Sequence, residues 1–474
     1  MLFPTVDFAI FFSLVFLGHW LLNPFPRRWK LFMIAASYLF YAWWDWRLVW
    51  LLAAASLIAQ AGALAVARTA SVRKRRAAMG VAVVALLGLL GWFKYYGFFA
   101  LNVANAFARL GHHSPVPLLQ VTLPVGISFY TFMAISYVVD VYRGVLEPAG
   151  WLDTFVYLSF FPHLVAGPIV RGGELIPQLQ RRRDPRRVDV GRAAYLIWSG
   201  LFKKVVLSSF VASAIVDPVF GNPAHHTSLE ILFAIYGYAV QIYADFSGYS
   251  DMAIGVALLL GFKFPQNFNA PYTARSLQDF WRRWHMTLSR WIRDYIYIPL
   301  GGSRVSERRT YLNIMLTMAL AGLWHGAAWT FVAWGLFHGA GLALGRRRQK
   351  AMEGSGVGAP PDTPTRRLSQ RVITFHLVCL GWVFFRSDSF GTAIALLRGL
   401  VTPFGPAPAV TPLVIGAVAL GVGAQYLPAD LSERLQVRLS AYRPMALGAL
   451  LGIALFVITA LGPHGVAPFI YYRF

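Results

Sequence analysis

The chain has 474 residues, 57% of them hydrophobic and only 13% charged, and its apolar stretches repeatedly reach the roughly 20 residues a helix needs to cross a bilayer. That excludes a water-soluble enzyme and makes the chain a polytopic membrane protein. Forty-three Lys and Arg against 20 Asp and Glu give a net charge of +23, but the basic residues fall in short loops without a nucleic-acid recognition module, so they fit cytoplasmic retention of positive charge instead.

Residues 8–22 open the series of spans. Their flanks lack a basic n-region and a small-residue cleavage site, so they are expected to be a retained helix rather than a signal peptide. Further spans are expected over residues 31–46, 48–67, 79–100, 122–142, 152–169, 195–220, 229–262, 311–345, 372–386, 390–402, 410–427 and 445–462. Gly and Pro interrupt several of them. The expectation is an all-α transmembrane bundle of about a dozen helices, some short or re-entrant, forming a single domain over 1–474.

Basic clusters occupy 27–30, 73–76, 181–187, 275–309, 346–350 and 366–371. The first two are separated by two spans and so share a face, which the positive-inside rule makes the cytoplasm, with the N-terminus outside. The stretch 102–120, with His112 and His113, and the turn 221–228, with His225 and His226, then fall outside as solvated loops. No metal set with a third ligand and defined spacing accompanies them. Residues 351–370, rich in Gly, Pro, Ser and Arg, read as a flexible cytoplasmic linker. The absence of an internal repeat counts against a secondary transporter. Cys379, the only cysteine, lies in an apolar run as a buried thiol, and one cysteine makes neither a disulfide nor a cysteine metal site.

Within 229–262, Tyr243, Asp245, Ser247, Tyr249 and Asp251 interrupt the apolar pattern, and the carboxylates are expected to pair with arginines or with histidines. Residues 275–309 read as one amphipathic interfacial helix. Phe280, Trp281, Trp284, Leu288, Trp291, Ile292 and Tyr295 recur at helical spacing, with Arg282, Arg283, Arg290 and Arg293 between them. His285 sits beside that stripe, placed to turn inward.

The segment 311–345 has basic clusters at both ends; if both are cytoplasmic, it must enter and return as two short helices or a re-entrant pair rather than cross once. His325 then lies about 20 Å along the path from Tyr311, deep in the membrane. Trp324, Trp329 and Trp334 read as packing residues or interface anchors. His338 reads as a supporting partner of His325 or a hydrogen-bonded structural residue.

An ionisable group in hydrocarbon is a functional candidate by default, and histidine is suited to take and return a proton near neutral pH. The chain has no G-x-S-x-G elbow, H-E-x-x-H helix or phosphate loop, so direct transfer promoted by a general base is the economical chemistry. His285 and His325 are expected to face one cavity open to the cytoplasm.

Several long motifs carry a resemblance to a known family. They are Gln241 to Met252 (QIYADFSGYSDM), Phe280 to His285 (FWRRWH), Arg293 to Gly302 (RDYIYIPLGG) and Leu323 to Gly326 (LWHG). Pro124 to Phe129, Gly381 to Arg386 and Pro468 to Tyr472 extend the likeness over nearly the whole chain. Together they resemble the membrane-bound O-acyltransferase superfamily, in its bacterial branch acting on alginate, peptidoglycan, cellulose and teichoic acid. One departure is near Gln60, where relatives often carry Asp-Tyr.

The resemblance implies that His325 is the near-invariant histidine and His285 the upstream Asn, Asp or His position. It also implies transfer of an acyl group, usually acetyl, through a central tunnel. The donor would be cytoplasmic, acetyl-CoA or an acyl-carrier protein with no cofactor bound, and the acceptor a polysaccharide on the other face, often reached through an extracytoplasmic partner. Trp324, His338, Asp245, Tyr243, Trp281, Arg282 and Asp251 are candidates to line or support the site, in a bacterial inner membrane. The competing readings are a glycan or lipid exporter without chemistry of its own and a scaffold that recruits an extracellular acetylase.

Overall fold

The computed structural model describes residues 1, 3–355, 361–402 and 405–461, and these residues form helices with no strand among them. The physical reason is the solvent: hydrocarbon offers backbone groups no hydrogen-bond partner, so each spanning segment must satisfy its own. Among the described residues, four helical runs, Pro26–Arg68, Val72–Arg109, Val190–Gly221 and Pro364–Arg386, are long and apolar enough to cross a membrane. The pair Pro412–Tyr426 and Asp430–Ser440, bent by 90°, passes the same test jointly. Val6–Leu22, Ile127–Tyr142 and Phe390–Gly399 are shorter apolar helices. The terminal motif 468–472 lies outside the described residues. The chain groups into two compact units, residues 1–193 with 253–265 and residues 194–252 with 266–474.

In the first unit, helices Val6–Leu22, Pro26–Asp45, Val49–Arg68 and Val72–Leu90 are followed by Ile127–Tyr142. That last helix is buried on almost every side chain, as expected of a helix apolar all round. Leu14, Leu17 and Leu21 project outward from the first helix at 60–74% exposure, a face suited to lipid chains rather than water. Gln60, the departure from the family pattern, is held by three hydrogen bonds. Its Oε1 accepts from Tyr137 (2.8 Å) and Thr154 (2.7 Å), and its Nε2 donates to the Ala149 carbonyl (2.6 Å).

In the second unit, the run Val190–Gly221 contains π-helical turns at Phe202–Ser208 and Ala212–Val216. Such turns locally re-aim side chains and recur at functional sites. It meets Ser228–Leu259 at a pair of glycines: a Cβ added to Gly200 or Gly248 would stand 2.6–2.7 Å from the other's carbonyl oxygen. This close approach accompanies two ion pairs, Lys203 with Asp251 and Lys204 with Asp245. The expected partners of the two carboxylates, arginine or histidine, are therefore corrected to lysines.

The segment 311–345 forms the expected pair, the helices Glu307–His325 and Trp329–Gly354. They run antiparallel in contact, because a methyl on Gly322 would strike the Phe331 carbonyl oxygen and one on Gly335 the Met318 carbonyl oxygen. Glu307 closes the other end through Arg346 (3.2 Å) and Lys350.

Two expectations fail locally. The single amphipathic helix over 275–309 is two short helices, Leu277–Arg283 and Met286–Ile292, followed by a π-helical turn Arg293–Tyr297. An extended strand of chain takes the backbone groups a continuous helix would use: Asn269 N–H donates to the Arg283 carbonyl and Met286 N–H to the Asn267 carbonyl, both at 2.9 Å. The linker 351–370 is also largely helical, since Trp329–Gly354 runs into it and Pro364–Arg386 begins inside it, capped by the Thr363 hydroxyl. Residues 356–360 of that linker lie outside the described residues.

Candidate active site

His285 occupies the break between the two short helices. Its backbone is left-handed (φ 39°), a conformation rare for residues other than glycine, Asn, Asp and His. The side chain turns inward and is fully buried. Its Nδ1 lies 3.0 Å from Asn267 Oδ1, and its ring meets Phe246 edge-on at 4.6 Å and Trp324 at 6.2 Å.

His325 is the last residue of Glu307–His325, about 21 Å of helix beyond Tyr311 at 1.5 Å per residue. Gly326 follows in an extended conformation, which ends the helix and leaves the imidazole at the turn of the hairpin. Only 2% exposed, it packs against Trp324 (4.9 Å), Trp334 (5.1 Å) and Phe385 (5.2 Å).

His325 also lines a cavity of about 1580 Å³ that combines apolar walls, such as Leu288, Ile314 and Met318, with charge. Seven arginines, from Arg275 to Arg366, face a single glutamate, Glu353. Several of these are engaged: Arg293 pairs with Asp294, Arg346 with Glu307 and Arg275 with Asp362. Arg282 and Arg348 make no ion pair among the described residues. His285 is not in the cavity wall. The single cavity expected for both histidines is therefore corrected: His325 faces it directly, and His285 stands one indole away because the Asn267 contact holds its ring in the aromatic packing behind.

The remaining candidates divide similarly. Trp281, half-buried, and Arg282 line the cavity. His338 is fully buried among Trp334 (5.0 Å), Trp281 (5.4 Å) and Phe280 (6.3 Å), with no hydrogen bond at either ring nitrogen among the described residues. Its proposed role as a hydrogen-bonded structural residue is thus not what the geometry provides. Tyr243 packs near Tyr272 and Phe268, while Asp245 and Asp251 sit in their lysine pairs. Cys379 is buried.

Sequence reasoning missed Asn267, Lys203 and Lys204, and had the rings Trp382 and Phe385 only as part of the family motif Gly381 to Arg386. A signal for the lysines was present: two adjacent cations inside the largely apolar 195–220 call for partners such as the carboxylates of 229–262. Asn267 carried no such signal, since its role depends on a chain crossing 18 residues away. No group of three His, Cys, Asp or Glu residues that could hold a metal occurs among the described residues.

Residues 38–352 match the MBOAT, membrane-bound O-acyltransferase family, a range that includes both histidines. The chain is 40% identical over 400 residues to the probable alginate O-acetylase AlgI of Azotobacter vinelandii, covering 83% of this chain and 76% of that protein. It is 36% identical over 433 residues to the peptidoglycan O-acetyltransferase of Helicobacter pylori, covering 84% and 79%. A teichoic acid D-alanyltransferase of Bacillus subtilis is 31% identical over 293 residues, covering 59% and 72%.

Proposed function

This chain belongs to the membrane-bound O-acyltransferase family, and from that premise we propose that it moves an acetyl group from acetyl-CoA in the cytoplasm to hydroxyls of a secreted or cell-envelope polysaccharide, directly or through an extracytoplasmic partner. It is a multi-pass membrane O-acyltransferase. The acetyl group, the donor and the polymer are the proposed elements. Relatives named for alginate, peptidoglycan and teichoic acid support an envelope glycan as acceptor.

The observation that carries the reading is His325 in the wall of an arginine-lined cavity. Guanidinium groups bind phosphate bidentately, and apolar walls accommodate an uncharged thioester arm. An acyl-carrier protein presents the same arm and is the alternative donor. We read the cavity as the cytoplasmic mouth of the family's tunnel.

The chemistry then follows. The acceptor oxygen attacks the thioester carbonyl carbon while His325 takes the hydroxyl proton. The C–S bond breaks, and the departing thiolate takes that proton back from the imidazolium. A positioned base contributes about 10²- to 10⁴-fold. His285, one ring away, orients the base or stabilises the developing charge. The test is His325→Ala: glycan acetylation falls at least about 100-fold while the protein still inserts and elutes as a single species. Near-normal acetylation would sink the assignment.

The distribution of Lys and Arg supports an orientation in a bacterial inner membrane with the N-terminus and 221–228 outside, and 171–187 and 346–371 inside. Arg182 is exposed, so Arg182→Cys on a Cys379→Ala background is the labelling site. Modification from outside by an impermeant reagent overturns this map.

A further inference from the structure

Asn267 fixes which nitrogen of His285 carries the proton. The backbone N–H of Thr287 donates to Asn267 Oδ1 at 3.3 Å, and the Thr287 hydroxyl donates to the same atom at 2.9 Å. A backbone N–H can only donate, so the atom it meets is the amide oxygen rather than the amide nitrogen. The opposite side of the amide agrees, since Nδ2 donates to Ser250 Oγ at 3.0 Å. His285 Nδ1, 3.0 Å from that same oxygen, must therefore donate. Assigned in this way from the hydrogen-bond network, the neutral imidazole has its proton on Nδ1 and its basic lone pair on Nε2.

The surroundings make this a built arrangement. Asn267 and Ser250 are each 1% exposed. Ser250 lies on the helix Ser228–Leu259, so the amide is anchored to a long helix rather than to a loop. The main chain adds to it: Met286 N–H is held by the Asn267 carbonyl at 2.9 Å, immediately after the left-handed His285. A left-handed non-glycine residue is strained and persists where its surroundings over-determine it. Here one asparagine holds the backbone after His285 with its carbonyl and the ring with its side chain.

We propose that Asn267 is a positioning residue for acyl transfer, setting the tautomer and ring orientation of His285 so that its basic nitrogen is Nε2. This rests on the reading that His285 belongs to the catalytic machinery. The acceptor on Nδ1 plays the part that carboxylates and carbonyls play for metal-binding histidines, where losing such a partner typically costs about 10- to 100-fold.

The experiment compares full-length Asn267→Ala and Asn267→Asp in reconstituted membranes, with acetyl-CoA and a hydroxyl acceptor. Asn267→Ala is expected to lower kcat roughly 10- to 100-fold with little change in KM. Asn267→Asp retains the acceptor and restores turnover to within about tenfold, and its added charge raises the proton affinity of His285, which must be neutral for Nε2 to keep its lone pair, moving the ascending limb of the pH–rate profile to higher pH. A purely structural role would not move that limb. Unchanged kcat in Asn267→Ala overturns the proposal, as does an unshifted limb in Asn267→Asp, which decides alone if Asn267→Ala fails to fold. His325→Ala is run beside them. If it is inactive while Asn267→Ala is normal, only this inference falls; if it is fully active, the reading beneath it falls.

Discussion

His285 and His325, forty residues apart in sequence, meet the same indole: the Trp324 ring centroid lies 6.2 Å from one imidazole and 4.9 Å from the other. Only His325 reaches the cavity. Under the proposed mechanism, this asymmetry gives the encounter with the acceptor hydroxyl to His325 and leaves His285 to act across one ring, on orientation or charge. Trp324 couples them physically, since it cannot shift without disturbing both rings.

A pair that acts as a unit shows non-additive kinetics. His285→Asn is the informative variant, because Asn tolerates the left-handed backbone that His285 adopts and removes only the imidazole. It is expected to lower kcat by more than it alters KM for the donor. The double variant with His325→Ala should be scarcely slower than His325→Ala alone. Rate losses that multiply would show that the two histidines work independently.

The hairpin that carries His325 depends on two close backbone approaches. A methyl at Gly322 meets the Phe331 carbonyl oxygen, and one at Gly335 meets the Met318 carbonyl oxygen, where no side chain can rotate away. Gly322→Ala, three residues from His325, should therefore displace the helix end, costing about 1–3 kcal/mol of stability through overpacking and a larger share of turnover. Gly345→Ala, on the same helix as Gly335 but with nothing within 4 Å of its added methyl, is the control. Equal thermal stability and acetylation in Gly322→Ala and Gly345→Ala would refute the close-packing argument.

Near the cytoplasmic end proposed for this region, Arg275 bonds Asp362 and Gln370, and the guanidinium beside Asp362 holds its carboxyl below the usual carboxylate range. A depressed carboxylate contributes stability that is present above its unfolded value of about 3.9 and lost as pH falls through the lower folded value. The melting difference between the native chain and Asp362→Asn should thus stay flat from about pH 5 to 8 and close only in stronger acid. A difference that fades between pH 6 and 8 would mean that another group sets it.

Much of this was legible in the sequence because the bilayer enforces it. Basic clusters at both ends of 311–345, if both are cytoplasmic, call for entry and return, and the structure has a helical hairpin there with His325 at its turn. What the sequence did not disclose depends on crossings. Helical periodicity through 280–295 is genuine, yet Asn267 and Asn269, brought alongside, take backbone bonds that would otherwise continue the helix. The same crossing turns His285 inward and holds it behind Trp324 rather than in the cavity. For the aspartates, pairing was foreseen but its partner was not, because Lys203 and Lys204 face them only through a π-helical turn and the Gly200–Gly248 approach.

Those lysines give the last prediction. Lys204 and Asp245 are paired with side-chain exposures of 1% and 3%. A charge left alone at such a site is heavily penalised, whereas a buried pair is often no better than apolar residues of similar volume. Lys204→Met should cost about 3–5 kcal/mol by stranding the Asp245 carboxylate, and Asp245→Leu should cost as much by stranding the lysine. The double variant Lys204→Met with Asp245→Leu removes both charges and should recover most of the loss. Thermal stability in detergent, read as the fraction remaining monodisperse, measures all three. A double variant as unstable as either single one would show that the pair is held by more than mutual charge. A stable double variant that no longer acetylates would move Lys204 and Asp245 from the scaffold into the reaction.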